Sequence, residues 1–252
     1  MDRPLTLANL GARAHHRLDG TWPRRSPLLP RLLILLLALA GSIAVAPAPV
    51  AAALPPWHGG VSTWRPDVFT TQGTWLWCTA ADVQIMRNMT YRIAEHSRSN
   101  QQRYYDYMRT QNRYRLPASD GVDPQGWAAG LRNWVDKRYK PVSHTSFDSA
   151  LRSAVRSLRR TSRPVGLLVA RGGHAWVLNG FTATADPAVT DSFTVTSVNV
   201  TGPLWGLQSR TWGYDMRPNT RLTPAQLRTF WHYAPIRMTW EGRIVQVQAV
   251  PG

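Results

Sequence analysis

The chain has 252 residues, 30 Lys and Arg against 14 Asp and Glu, a formal charge of +16 and one cysteine. That length is enough for one domain with a sizeable core, and a single cysteine excludes an intrachain disulfide and a cysteine-rich zinc site. The charge draws the surface toward anionic polymers or lipids, yet no arrangement of arginines and aromatics matches a nucleic-acid-binding module.

Residues 1–53 read as a leader. Arg24, Arg25 and Arg31 form a basic region, Leu32 to Ala46 is apolar or small throughout, and Ala46-Pro47-Ala48 and Ala51-Ala52-Ala53 offer small-residue cleavage sites. A secretory signal over about 24–53 is the expectation, with residues before it as an extended n-region. An uncleaved anchor is the alternative, although the apolar run is shorter than the ~20 residues of a full span. The chain is therefore expected to be secreted or attached to the cell envelope. Without this segment, 199 residues (54–252) remain, with 24 cationic and 12 acidic side chains, a net +12.

Leu54 to Phe69, with Pro55, Pro56 and Pro66, reads as an extended lead-in, and Thr70 to Trp77 as a loop. A helix is expected from Cys78, with Ala81, Ile85, Met86 and Met89 on its buried face. A second helix falls at about Ser99 to Arg113. Asp123-Pro124 is a helix start, because Asp caps and Pro fits the first turn; Trp127, Leu131 and Trp134 follow on one side. Ser146 to Arg159 is amphipathic. Leu151, Val155 and Leu158 face inward, while Arg152, Arg156, Arg159 and Arg160 form either a solvated face or a surface for anionic polymers.

After Pro164 the period changes. Val165 to Ala170, His174 to Phe181 and Phe193 to Val200 read as strands, joined by Gly172-Gly173 and by the 183–192 loop. Thr223 caps a short helix, and Ile236 to Trp240 with Ile244 to Val250 form a hairpin across Glu241-Gly242-Arg243. Helices come first and strands later, which is α+β.

The chemistry centres on Cys78. A thiol attacks only as thiolate, and its ordinary pKa of about 8.5 leaves little of that form near neutrality. A helix N-terminus stabilises the anion through its free N–H groups and dipole, and an imidazolium adds to this. His174, directly after Gly172-Gly173, is the candidate base. Gln72, six residues before Cys78 with Gly73 between, is the candidate oxyanion donor beside the Cys78 backbone N–H. One cysteine and scattered histidines offer no metal-ligand spacing, and Gly172-Gly173 is too short for a phosphate-binding loop, so no metal or cofactor is expected.

The stretches Gln72 to Met86 and Arg163 to Phe181, with weaker likeness through Pro203, resemble the papain-like cysteine peptidase superfamily, in particular its bacterial branch related to bacteriocin-leader-processing peptidases. The resemblance implies a papain-like α+β fold, in which an N-terminal helical half carries the nucleophile at a helix start and packs on an antiparallel C-terminal sheet. It also implies Cys78 as nucleophile, His174 as base, Gln72 in the oxyanion hole, and a peptide or protein substrate. The family orients its His with an Asp or Asn at the end of the next strand, and the branch often has Asp before a Pro there. This chain has Gly202 before Pro203, which leaves Asn199 as the candidate; Asp186 and Asp191, in the preceding loop, are weaker ones. The branch often has Gly after the Cys, where this chain has Thr79.

The expected activity is hydrolysis of peptide or amide bonds through a thioacyl-enzyme. The alternatives are an inactive papain-like domain that binds anionic cell-envelope polymers, supported by the +12 charge and the 12 Trp, and a structural protein with a buried Cys78.

Overall fold

In a computed structural model of the chain, residues 57, 59–207, 215–234 and 239–252 are described. The expected leader lies outside them. Contacts divide the chain between Ala53 and Leu54, and every described residue belongs to the second unit.

Four helices of two turns or more form where apolar residues recur at helical spacing. The first, α1 (Cys78–Tyr91), starts without a side-chain cap and closes at Arg92, whose left-handed backbone (φ 56°) lets its N–H bond Asn88 O. Next, α2 (Arg98–Thr110) is capped by Ser97 and buries Tyr104 and Met108. In α3 (Pro124–Trp134), Asp123 accepts the Gly126 N–H and Pro124 occupies the first turn, as its sequence requires. Ser146 caps α4 (Phe147–Thr161) in the same way. A short α5 (Pro224–Arg228) carries a full capping box between Thr223 and Gln226.

Among the described residues, seven antiparallel strands form one sheet: β1 (Gly59–Ser62), β2 (Tyr139–His144), β3 (Val165–Val169), β4 (His174–Ala183), β5 (Val195–Thr201), β6 (Thr220–Leu222) and β7 (Ile244–Ala249). Their order is β2-β7-β3-β4-β5-β6, with β1 added along the second half of β4. The long β4 is the spine. Its residues alternate between two cores, as a pleated strand dictates. Trp176 and Leu178 join the cluster of α4, with Leu151, Val155 and Leu158. Ala175 and Val177 join the cluster of α1, α2 and α3, with Ile85, Met86, Trp127 and Leu131.

Three expectations change. The strand Tyr139–His144 is not among the expected ones because Pro141 interrupts it; β2 pairs only with β7, and an edge strand tolerates a residue with no N–H to give. The expected hairpin partner of β7 lies partly in 235–238, outside the described residues, and its last two positions, Thr239 and Trp240, are in a turn; β7 pairs with β2 and β3. The arginine row of α4 holds the 186–193 loop while staying partly exposed, an arrangement that neither of its two readings included. Arg152 donates to Phe193 O at 2.7 Å and to Asp191 O, and Arg156 donates to Pro187 O and pairs with the Asp191 carboxylate. Arg159 makes a two-bonded pair with Asp186, and Arg160 reaches Ala188 O.

Candidate active site

Cys78 begins α1 and lies at the wall of a cleft of about 370 Å³ that His174 also lines. Trp77, the residue before the helix, offers no side-chain cap. The first N–H groups of α1 are therefore open toward the sulfur, a setting that favours negative charge there.

The loop that delivers Cys78 is held from below. Gln101 of α2 donates to Thr71 O and Gln84 Oε1 and accepts the Gly73 N–H at 2.8 Å, while the Gln72 N–H bonds Pro203 O at 2.8 Å. Gln72 is thus fixed between the helical half and the chain leaving β5. Its side chain is 2 % exposed, donates from Nε2 to Thr74 O at 2.7 Å, and does not line the cleft with Cys78.

His174 is the first residue of β4, and the turn before it is unusual. Ala170, Arg171 and Gly172 all have positive φ (51°, 56° and 85°), and only the glycine adopts that region without strain. Gly173, next to the histidine, has an ordinary φ of −85°. The reversal that aims His174 is therefore made at Gly172 and the two residues before it. Ala170 N–H is tied to Phe230 O at 2.9 Å, which holds the turn.

The imidazole is 11 % exposed, and its Nε2 bonds Asp215 Oδ2 at 2.9 Å. With Nε2 taken by Asp215, Nδ1 is the ring nitrogen left free to face Cys78, which lines the same cleft. Burial alone would make the ring harder to protonate. The bonds to Asp215 and to Cys78, with the attraction of both charges, outweigh burial and raise His174 to about 10.

Asp215 is therefore the residue that sequence reading misses. Its side chain is 3 % exposed, and its carboxylate accepts four N–H groups. Besides His174, these are Trp176 Nε1 at 2.6 Å, Leu204 N at 2.9 Å and Met216 N at 2.8 Å. His174 and Trp176 lie two apart on β4, so both side chains leave the same face and meet one carboxylate. Asn199, the expected third member, is elsewhere: it pairs with Gly180 in the middle of β4, and its amide donates to Asn219 O. Asp186 and Asp191 are taken by the arginines of α4.

The glycine at 202 explains the substitution. A Cβ built on Gly202 would lie 2.2 Å from Asp215 Oδ2. The carboxylate of Asp215 fills the place that a side chain at 202 would take, and only glycine leaves it room. The one signal in the sequence is that absence of a side chain before Pro203.

No family model matches the chain, and no curated protein matches it significantly. Among the described residues no helix is long and apolar enough to cross a membrane, and no group of three or more His, Cys, Asp or Glu is placed to hold a metal ion.

Proposed function

We propose that the chain is an exported cysteine hydrolase with a papain-like arrangement, cleaving peptide or amide bonds by acyl transfer. One observation carries this reading: a sulfur at a helix start and an imidazole held by a carboxylate with four donors line the same cleft. The raised His174 is the state such a pair needs, an imidazolium that holds a thiolate near neutrality.

In this mechanism the Cys78 thiolate adds to the substrate carbonyl carbon, and the oxyanion is met by main-chain N–H groups at the start of α1. His174 gives its Nδ1 proton to the leaving nitrogen as the carbon–nitrogen bond breaks, which leaves a thioester on Cys78. Water then loses a proton to His174 and adds to the thioester carbonyl. The sulfur departs as thiolate beside the re-formed imidazolium, and the carboxylic acid leaves. Asp215 keeps the ring in place and its charge balanced throughout. The walls of the cleft include Leu76, Leu116, Val122 and Trp240, with Trp75 54 % exposed beside it, which suits an extended peptide with apolar side chains.

The test is labelling by a thiol-reactive epoxide. Stoichiometric modification of Cys78 in the native protein, at least about tenfold slower in His174→Ala, supports the reading. Labelling that ignores His174, or occurs only after unfolding, overturns it.

A further inference from the structure

Several buried polar side-chain atoms have no hydrogen-bond partner, some of them close to Cys78 in sequence. Gln72 Oε1, Thr79 Oγ1 and both carboxyl oxygens of Asp82 belong to this set. Asp82 is the extreme case: it is 0 % exposed. It lies four residues after Cys78 on α1 and so shares its face, and helical side chains lean toward the N-terminus, which directs the carboxyl at the turn that starts with the sulfur. The titratable groups acting on it are Cys78 from its own helix, His174 from β4, and Asp215.

Two carboxyl groups thus lie within electrostatic reach of one imidazole, in opposite surroundings. Asp215 accepts four N–H groups, whereas Asp82 accepts none. A carboxylate without a donor in a dry interior is so costly that the group keeps its proton instead. Burial pushes Asp82 well above the usual carboxylate range; Cys78 and Asp215 push the same way, and His174 opposes them.

We propose that Asp82 is a further positioning residue of this site: an uncharged carboxyl group whose O–H dipole favours the Cys78 thiolate. The inference rests on the reading of Cys78 as a nucleophile. An ionised Asp82 would set a second anion one helical turn from the sulfur and suppress the thiolate, and by linkage the thiolate keeps Asp82 protonated. An uncharged Asp82 therefore adds no second anion beside the sulfur.

The experiment is the rate of Cys78 alkylation by uncharged iodoacetamide against pH, in the full chain and in Asp82→Asn and Asp82→Leu. Asn keeps a neutral polar group of the same shape, so the pH midpoint of labelling stays within about a third of a unit. Leu removes the dipole, so the midpoint rises by about one unit, a tenfold slower reaction below it. A midpoint that falls by about a unit in Asp82→Asn shows that a charge had been there and overturns the proposal. So does an Asp82→Leu protein that labels like the unmodified chain. Urea unfolding supplies the second measurement: the stability gained in Asp82→Asn grows between pH 5 and pH 8, since only the unfolded parent ionises at 82, and an equal gain at both pH values overturns the proposal. If Cys78 labels in none of the three proteins, the hydrolase reading fails and this inference with it. If it labels normally in the unmodified chain while a variant departs from these outcomes, only the role of Asp82 fails.

Discussion

The third member of the site shows how much one absent side chain can mean. Asp215 reaches His174 because residue 202 has no Cβ, and its carboxylate lies where that Cβ would point. This geometry makes two predictions, both read as the rate of epoxide labelling. Asp215→Ala removes the acceptor that orients the ring and slows labelling by about a hundredfold or more. Adding Gly202→Asp to that variant supplies a carboxylate from the vacated direction and recovers at least about tenfold of the loss. Gly202→Asp in the presence of Asp215 is expected to be as damaging as Asp215→Ala, because two carboxylates then claim one space. If the double variant is no faster than Asp215→Ala, the two positions are not equivalent sources of the same charge. Trp176 belongs to the same group of contacts. Its indole N–H is the shortest of the four bonds to Asp215, at 2.6 Å. Trp176→Phe keeps most of the packing but removes a charge-assisted donor of about 1.5–3 kcal/mol, so a loss of roughly tenfold to a hundredfold in labelling rate is expected.

At the scale of elements, α4 shows a charge pattern with an internal use. Its apolar stripe packs on β3 and β4, while its arginines fasten the 186–193 loop. Arg159→Ala removes both bonds to Asp186, whose carboxyl Arg159 holds below its ordinary range. Limited proteolysis within 186–193 should then speed up several-fold, with epoxide labelling of Cys78 unchanged; equal cleavage rates would show that the loop is held without this pair. The sequence carries the apolar stripe but not what the arginines meet, because a row of cations looks the same whether solvent or a loop lies over it. The same limit runs through the fold. Helix starts at Asp123, Ser146 and Thr223 are legible because the capping group is encoded within three residues of what it caps. The strands of β3, β4 and β5 are legible from local period and β-branched content. The edge strand β2 is not, since Pro141 argues against a strand until its position at the sheet margin is known. Cys78 and His174 stand out by residue type and neighbours. Asp215 does not, because its role depends on a return of the chain to Gly202 that no local pattern records, and Asn199 has only proximity in sequence to recommend it.

At the scale of the whole molecule, the buried charges of the site oppose the habit of most proteins to be steadiest near neutrality. His174 binds its proton more tightly folded, at about 10, than unfolded, at 6.5. Its contribution to stability is fully present below pH 6.5 and is lost as pH rises through 10. Asp82, raised by burial above its unfolded value of 3.8, has the same sign: the unfolded chain gives up that proton first, so stability falls as pH climbs from about 4. Glu95 works the other way. Burial alone would raise it, but hydrogen bonds from Gln84, Ser97 and Asn100 lower it from 4.5 to about 2, so its contribution is present above 4.5 and lost as pH falls through 2. Asp136, lowered chiefly by Arg138 against burial, with Arg163 adding, has the same acid limb. Net charge does not blur the alkaline side, because all but two of the 30 cationic side chains are arginine, which keep their protons throughout this range. The urea midpoint should therefore be highest near pH 5 and fall steadily between pH 6.5 and 9. In the unmodified chain the proton that His174 gains is one that the thiol gives up, so that pair adds little slope over this interval; in Cys78→Ala no thiol compensates, and adding His174→Ala to that variant should make the curve shallower between pH 6.5 and 9. Parallel curves for Cys78→Ala with and without His174→Ala would mean that Asp215 does not hold an excess proton on His174, and the raised imidazolium would lose its thermodynamic support.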